Sequence, residues 1–240
     1  IQHSALPAVH PLYDNRKEFD IFASMHTAKE VGGDFYDFYF IDEDHLAFLI
    51  ADVSGKGIPA AMFMMRSKTI IKSYAESGMS VEEVFTLANE KLCEGNDAGM
   101  FVTAWMGILN IKNGKVLFAN AGHNHPLVKH SDGTFEYLKS RAGFVLAGME
   151  GVRYRKNELV LEPGDAIYLY TDGVTEATDL NEELYGEDRL HSILEKYKDE
   201  TMEVICSEIK KDVDLFAGEA PQFDDITMLA LKFKGQEVIS

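Results

Sequence analysis

The residues of this chain whose types and spacing suggest chemistry are five aspartates. Asp34 lies in Gly32-Gly33-Asp34-Phe35-Tyr36-Asp37, Asp52 in Ala51-Asp52-Val53-Ser54-Gly55-Lys56-Gly57 and Asp172 in Tyr170-Thr171-Asp172-Gly173. Asp224 and Asp225 lie in Phe223-Asp224-Asp225-Ile226-Thr227. Gathered together, such carboxylates repel one another unless something positive sits between them, and hard divalent cations are the usual solution. The donor set is all oxygen, with no histidine or cysteine pair at zinc spacing, which favours Mg²⁺ or Mn²⁺ over Zn²⁺. Two ions held by shared carboxylates polarise a phosphoryl oxygen and activate water for in-line attack, so the chemistry indicated is phosphate hydrolysis. Taken singly, each aspartate is ordinary; one before glycine, as in Asp172-Gly173, is most often a turn residue. Together they stand at the ends of apolar strands, where an acidic cluster requires a compensating partner.

The strands explain why these residues should meet. Runs over Phe35–Phe40 and 46–51 flank the polar turn Asp42-Glu43-Asp44, and Asp34 and Asp52 stand nine positions on either side of Glu43. In an antiparallel hairpin, residues equidistant from the turn lie opposite one another, so these carboxylates should face each other at its open end. Asp172 ends the run that starts near Ala166, and Asp224 begins the last strand. If those two strands pair antiparallel, the end of one lies beside the start of the other. A sandwich of two sheets then brings both carboxylate couples to one rim.

The remaining elements follow from periodicity. Phe19, Ile21, Ala23 and Met25 alternate as in a half-buried strand. Strands over 101–111 and 115–121 flank Asn113-Gly114, a strong hairpin signal. Strands over 127–130 and 135–138 are joined through Asp132-Gly133, and 159–161 and 166–170 flank Pro163-Gly164. Ser80-Val81-Glu82-Glu83 is a capping box that opens a helix with Val84, Phe85, Ala88 and Leu92 on one face. A longer helix over 59–75 precedes it, with Pro59 in its first turn, and two more carry Leu190 to Tyr197 and Met202 to Phe216. About ten strands with hairpin connections and helices in two sequence pairs predict an α+β fold, two packed and mainly antiparallel sheets with helices outside.

The chain has 240 residues and a formal net charge of -17, which disfavours nucleic acid and direct contact with an anionic membrane. No apolar stretch approaches the roughly 20 residues of a membrane span. Cys93 and Cys206 fall in helical segments and suit a reducing compartment, hence a cytoplasmic location. Residues 1–14 read as a linker from a missing upstream region, 15–234 as one domain and 235–240 as a tail.

The order Glu-Val-Gly-Gly-Asp-Phe-Tyr-Asp (30–37), Ala-Asp-Val-Ser-Gly-Lys-Gly (51–57), Asn-Ala-Gly-His-Asn (120–124), Thr-Asp-Gly-Val-Thr-Glu (171–176) and Asp-Asp-Ile-Thr (224–227) resembles the SpoIIE/RsbU-type bacterial serine phosphatases, a branch of the metal-dependent protein phosphatase 2C superfamily. The resemblance implies an α-β-β-α four-layer sandwich with two Mn²⁺ or Mg²⁺ ions between the sheets. It implies that Asp52 bridges both ions, that Asp34 and the carbonyl of Val53 complete one, and that Asp172 and Asp224 hold the other. Asp224 is favoured over Asp225, with either left open as the direct ligand. The substrate implied is a phosphorylated STAS-domain protein, an anti-anti-sigma factor in a partner-switching pathway. A sensory domain would precede the phosphatase domain in the full-length chain, and a homodimer is left open.

Two departures stand out. Eukaryotic members carry a histidine, a candidate general acid, shortly after the bridging aspartate, where this chain reads Val53-Ser54-Gly55. Two prolines commonly follow the Ala-Gly-His-Asn motif, where this chain has His125-Pro126, and His125 could brace a turn, face solvent or touch substrate. His123 is read as bracing its loop. Lys56 either attracts phosphate or is a solvated loop lysine, and Met62, Met64 and Met65 read as adaptable packing. Gly32-Gly33-Asp34-Phe35 also superficially resembles the diguanylate cyclase signature, but that reading leaves Asp172 and Asp224 without a role. A catalytically silent binding domain would be expected to have lost metal aspartates.

Overall fold

The computed structural model describes residues 6–7, 13, 15–130 and 133–236. Among the described residues, ten strands form two five-stranded sheets. One has the order β2 (Phe35–Phe40), β3 (His45–Val53), β4 (Val102–Asn110), β5 (Lys115–Ala121), β8 (Asn157–Val160). The other has the order β1 (Phe19–His26), β10 (Ile226–Phe233), β9 (Ala166–Tyr170), β6 (Leu127–Lys129), β7 (Phe135–Tyr137). All the strand pairs are antiparallel. Helices α1 (Ile58–Glu76) and α2 (Val81–Cys93) contact the first sheet, while α4 (Glu187–Lys196) and α5 (Met202–Ala217) cover the second. The four layers are those expected.

The burial patterns explain the layering. β3 is buried at nearly every position, as a central strand covered on both faces must be. One core cluster fills the space between the sheets and under α1 and α2, where Trp105 stacks on Phe118 with ring centroids 5.1 Å apart. A second lies between the sheet of β6, β7, β9 and β10 and helices α4 and α5, and includes Tyr168, Leu190 and Ile209. The capping box is formed: the Ser80 amide donates to Glu83 Oε2 at 3.0 Å, fixing where α2 starts.

Several expectations need adjustment. Pro163-Gly164 does not join strands of one sheet: β8 pairs with β5 and β9 with β10, so this turn hands the chain from one sheet to the other. Of the three helix methionines, Met64 is buried, whereas Met62 and Met65 are exposed. Asp132 of the second turn, most of 1–14 and most of 235–240 lie outside the described residues. Within 1–14, Leu6 is buried and Tyr13 packs edge-on against Phe19 and Phe40. Cys93 and Cys206 are both free thiols. Among the described residues, no helix is long and apolar enough to cross a membrane.

Candidate metal centre

The hairpin register brings the first two aspartates together. Phe35 pairs with Ala51, so the next residue outward on each strand is Asp34 on one side and Asp52 on the other. Their carboxyl groups share a hydrogen bond. Asp34 is 2% exposed, and burial together with the neighbouring Asp52 charge pushes its carboxyl well above the usual range. Asp52 is pushed up to about 7, by burial first and then by the field of Asp172. The pair therefore holds protons more tightly than free carboxyls do, for the same electrostatic reason that it would welcome a cation.

The second couple comes from the other sheet. Met228 pairs with Tyr170, so the residues after β9 run beside those before β10. Asp172 opens a one-turn helix, α3 (Asp172–Thr175), that the sequence reading missed. Burial, then Glu176 and Asp224, raise the Asp172 carboxyl. Asp224 is more open and forms an ion pair with Lys56 Nζ at 2.9 Å. Lys56 also donates to the carbonyl of Phe223 at 2.6 Å, so the loop after β3 is tied to the segment before β10. This lysine is an inter-loop tether, a role intermediate between the two considered.

Asp225 differs from its neighbour. It is 7% exposed and accepts the amides of Ala28 and Gly33 at 2.9 Å and of Asp34 at 3.4 Å. Its carboxylate thus fastens the Gly-Gly-Asp loop onto the second sheet. The glycines are required by this closeness: a Cβ on Gly32 would fall 1.8 Å from Asp225 Oδ2, and one on Gly173 1.9 Å from the Asp225 carbonyl oxygen. A Cβ on Gly33 would press on the Val53 carbonyl oxygen at 2.7 Å.

Two further residues brace the rim. Thr171 Oγ1 donates to Asp34 Oδ2 at 2.7 Å, a bond from one sheet to the other, and accepts the Thr227 amide at 3.1 Å within its own sheet. Sequence reasoning missed it, although Thr171 was in view as the residue before Asp172. His123 is fully enclosed, and burial pushes its imidazole down to about 4. Its Nε2 faces the Tyr170 carbonyl at 3.1 Å, so that nitrogen carries the proton and Nδ1 accepts from the Thr103 hydroxyl at 2.9 Å. His123 therefore links β4 to the end of β9, as the loop-bracing reading holds. Farther back, a buried ion pair of 2.6 Å between Asp37 and Lys68 fastens β2 to α1.

These groups fit a hard cation in donor chemistry: carboxylates, a main-chain carbonyl beside a glycine cradle, and no soft ligand. Among the described residues, no three histidine, cysteine, aspartate or glutamate side chains converge as a ready-made cage. Like charges stand apart until a cation or proton intervenes.

The geometry defines a class: a two-sheet sandwich with carboxylates from both sheets at one rim. Residues 42–234 match the family model described as Stage II sporulation protein E (SpoIIE). The chain belongs to this family. It is 32% identical over 216 residues to the phosphoserine phosphatase RsbU of Bacillus subtilis, covering 90% of this chain and 63% of that protein. It is 30% identical to Protein IcfG of Synechocystis sp. (strain ATCC 27184 / PCC 6803 / Kazusa) over 262 residues, 96% of this chain and 40% of that protein. The chain thus spans less than two thirds of the length of either relative. The SiaA-PP2C domain of Pseudomonas aeruginosa superposes with a TM-score of 0.82 at 23% identity, covering 97% of this chain and 91% of that one. The protein phosphatase 2C fold is thereby shown.

Proposed function

We propose that this chain is a metal-dependent serine/threonine phosphoprotein phosphatase. The observation that carries the reading is the bonding of both aspartate couples into one rim: Thr171 joins Asp34 to the second sheet, and Lys56 joins the Asp52 loop to Asp224. Asp34, Asp52, the Val53 carbonyl, Asp172 and Asp224 would hold two Mn²⁺ or Mg²⁺ ions, with Asp52 shared. Bound ions would supply Lewis acidity toward a phosphoryl oxygen and lower the pKa of water.

The chain's own residues do the rest. Asp52 and Asp34 must release the proton they hold before they bind, so binding is coupled to deprotonation. Asp225, with its three amide donors, positions the backbone of Asp34 and stands behind it as a brace. Thr171 fixes the orientation of the Asp34 carboxylate, leaving its other oxygen for the site. His123, neutral and enclosed with both ring nitrogens engaged, holds the rim and does not exchange protons with substrate.

The relative RsbU is a phosphoserine phosphatase, and that name supports phosphoserine as the group removed. The substrate we favour is a phosphorylated STAS-domain protein of a partner-switching pathway, with an upstream sensory domain controlling the enzyme. Hydrolysis of 4-nitrophenyl phosphate should require added Mn²⁺ or Mg²⁺ and stop with chelator. A phosphorylated STAS protein should be hydrolysed with a far higher kcat/KM than free phosphoserine. Undiminished hydrolysis in chelator would contradict the metal reading; equal kcat/KM values would contradict recognition of a protein.

A further inference from the structure

Beside the carboxylate rim lies a cavity of about 180 Å³ that phosphate chemistry leaves unexplained. Ala177 after α3, Val213 and Ala217 on α5, and Phe223 and Ile226 at the approach to β10 make its apolar wall. Asp224, assigned above to the metal centre, is part of the same wall, so cavity and centre are continuous. The lip is braced: Gln222 Nε2 donates to the His26 and Asp224 carbonyls, each at 2.7 Å. Phe223 is 77% exposed, with Lys56 Nζ 3.8 Å from its ring centroid.

The charge at the cavity disfavours an acidic occupant. Glu176, Asp214 and Asp224 line it, and no lysine or arginine does. Lys210 and Lys56 pair with Asp214 and Asp224 from outside the cavity, and Glu176 adds a further carboxylate. An acidic side chain would be repelled, while an aliphatic one would bury its apolar surface against Ala177, Ala217 and the exposed Phe223. A peptide whose phosphate reaches the metal centre beside Asp224 brings the residues next to its phosphoserine within reach of this mouth. Two or three extended residues span about 7–10 Å.

We propose that this cavity is a specificity subsite that takes an aliphatic side chain, of leucine or methionine size, lying within three residues of the phosphoserine in a protein substrate. The inference rests on the phosphatase reading above and adds a rule of sequence preference to it. The subsite acts through substrate affinity, so its effect falls on KM and leaves the reacting atoms alone.

The test uses the whole chain with Mn²⁺ and a set of phosphoserine peptides with leucine, alanine or aspartate placed in turn at each position within three residues of the phosphoserine. At one position, leucine should raise kcat/KM about tenfold over alanine through KM, with aspartate below alanine. Ala217→Phe, which fills the cavity, should shrink the leucine-to-alanine ratio to within about twofold. That ratio is internal to each protein, so a general folding defect leaves it unchanged. Equal kcat/KM for leucine and alanine at every position, or a ratio that survives Ala217→Phe, overturns the subsite alone. Failure of the wild-type chain to hydrolyse 4-nitrophenyl phosphate with Mn²⁺ overturns the phosphatase reading and the subsite with it.

Discussion

The two aspartate couples are built in opposite ways. Asp34, buried, and Asp52, half-buried, face each other across one hairpin, and both hold protons more tightly than free carboxyls. Asp172 and Asp224 meet across β9 and β10, more open, with Lys56 beside Asp224. A couple set by local register is positioned as soon as its hairpin forms, whereas one set by distant strands depends on the whole sandwich. The structure compensates with long-range fasteners at the second couple: Lys56 to Asp224, Asp225 to the Gly-Gly-Asp loop, and His123 to Tyr170. On the proposed reading, the hairpin couple supplies the tightly held carboxylates and the cross-strand couple the face open to substrate.

Substitutions should separate the two couples. Asp52→Asn, at the shared position, should lower kcat by about a thousandfold or more, with Asp172→Asn close behind, as read by aryl phosphate hydrolysis at saturating Mn²⁺. A smaller loss for Asp52→Asn than for Asp224→Asn would reverse the proposed hierarchy. Next in size is Thr171→Val, which removes the hydroxyl that donates to Asp34 from the second sheet. Mn²⁺ affinity should fall about 10–100-fold, as for loss of an outer-shell partner. Because the Asp34 carboxyl and the Thr227 amide both lose a partner, stability measured in urea should drop by about 1–3 kcal/mol.

His123 offers a comparison by pH. The folded state holds its imidazole neutral to about pH 4, whereas the unfolded chain takes up the proton near 6.5. Between those values the unfolded chain binds more protons. The stability contributed by this residue is therefore present above pH 6.5 and lost as pH falls toward 4, about 3 kcal/mol at most. Urea unfolding at pH 7 and pH 5 should show a wild-type loss that His123→Gln lacks. The smallest effect belongs to Lys56→Ala: an exposed ion pair is worth about 0–1 kcal/mol, so stability should hardly change. Mn²⁺ affinity should shift only a few-fold, and by less than in Thr171→Val.

The same contrast decided what could be read from sequence. Counting outward from Glu43 was enough to set Asp34 opposite Asp52, because a hairpin converts sequence distance into spatial position. The antiparallel pairing of β9 with β10 entered only as a condition, which the register of the two strands fulfils. The crossing at Pro163-Gly164 was not, because the same turn chemistry serves a hairpin or a change of sheet, and only the pairing of β8 with β5 decides it. Thr171 and the clamping role of Asp225 were hidden for a related reason. A hydroxyl or carboxylate beside a candidate ligand acquires its role from what packs across the sandwich, which local pattern does not encode.

The account's central claim is that Asp52 serves both couples. Calorimetric titration of Mn²⁺ into the wild-type chain and Asp52→Asn, each confirmed folded by circular dichroism, tests it most directly. Two ions per wild-type chain and loss of both high-affinity events in Asp52→Asn are predicted. Wild-type stoichiometry and affinity retained in Asp52→Asn would contradict it.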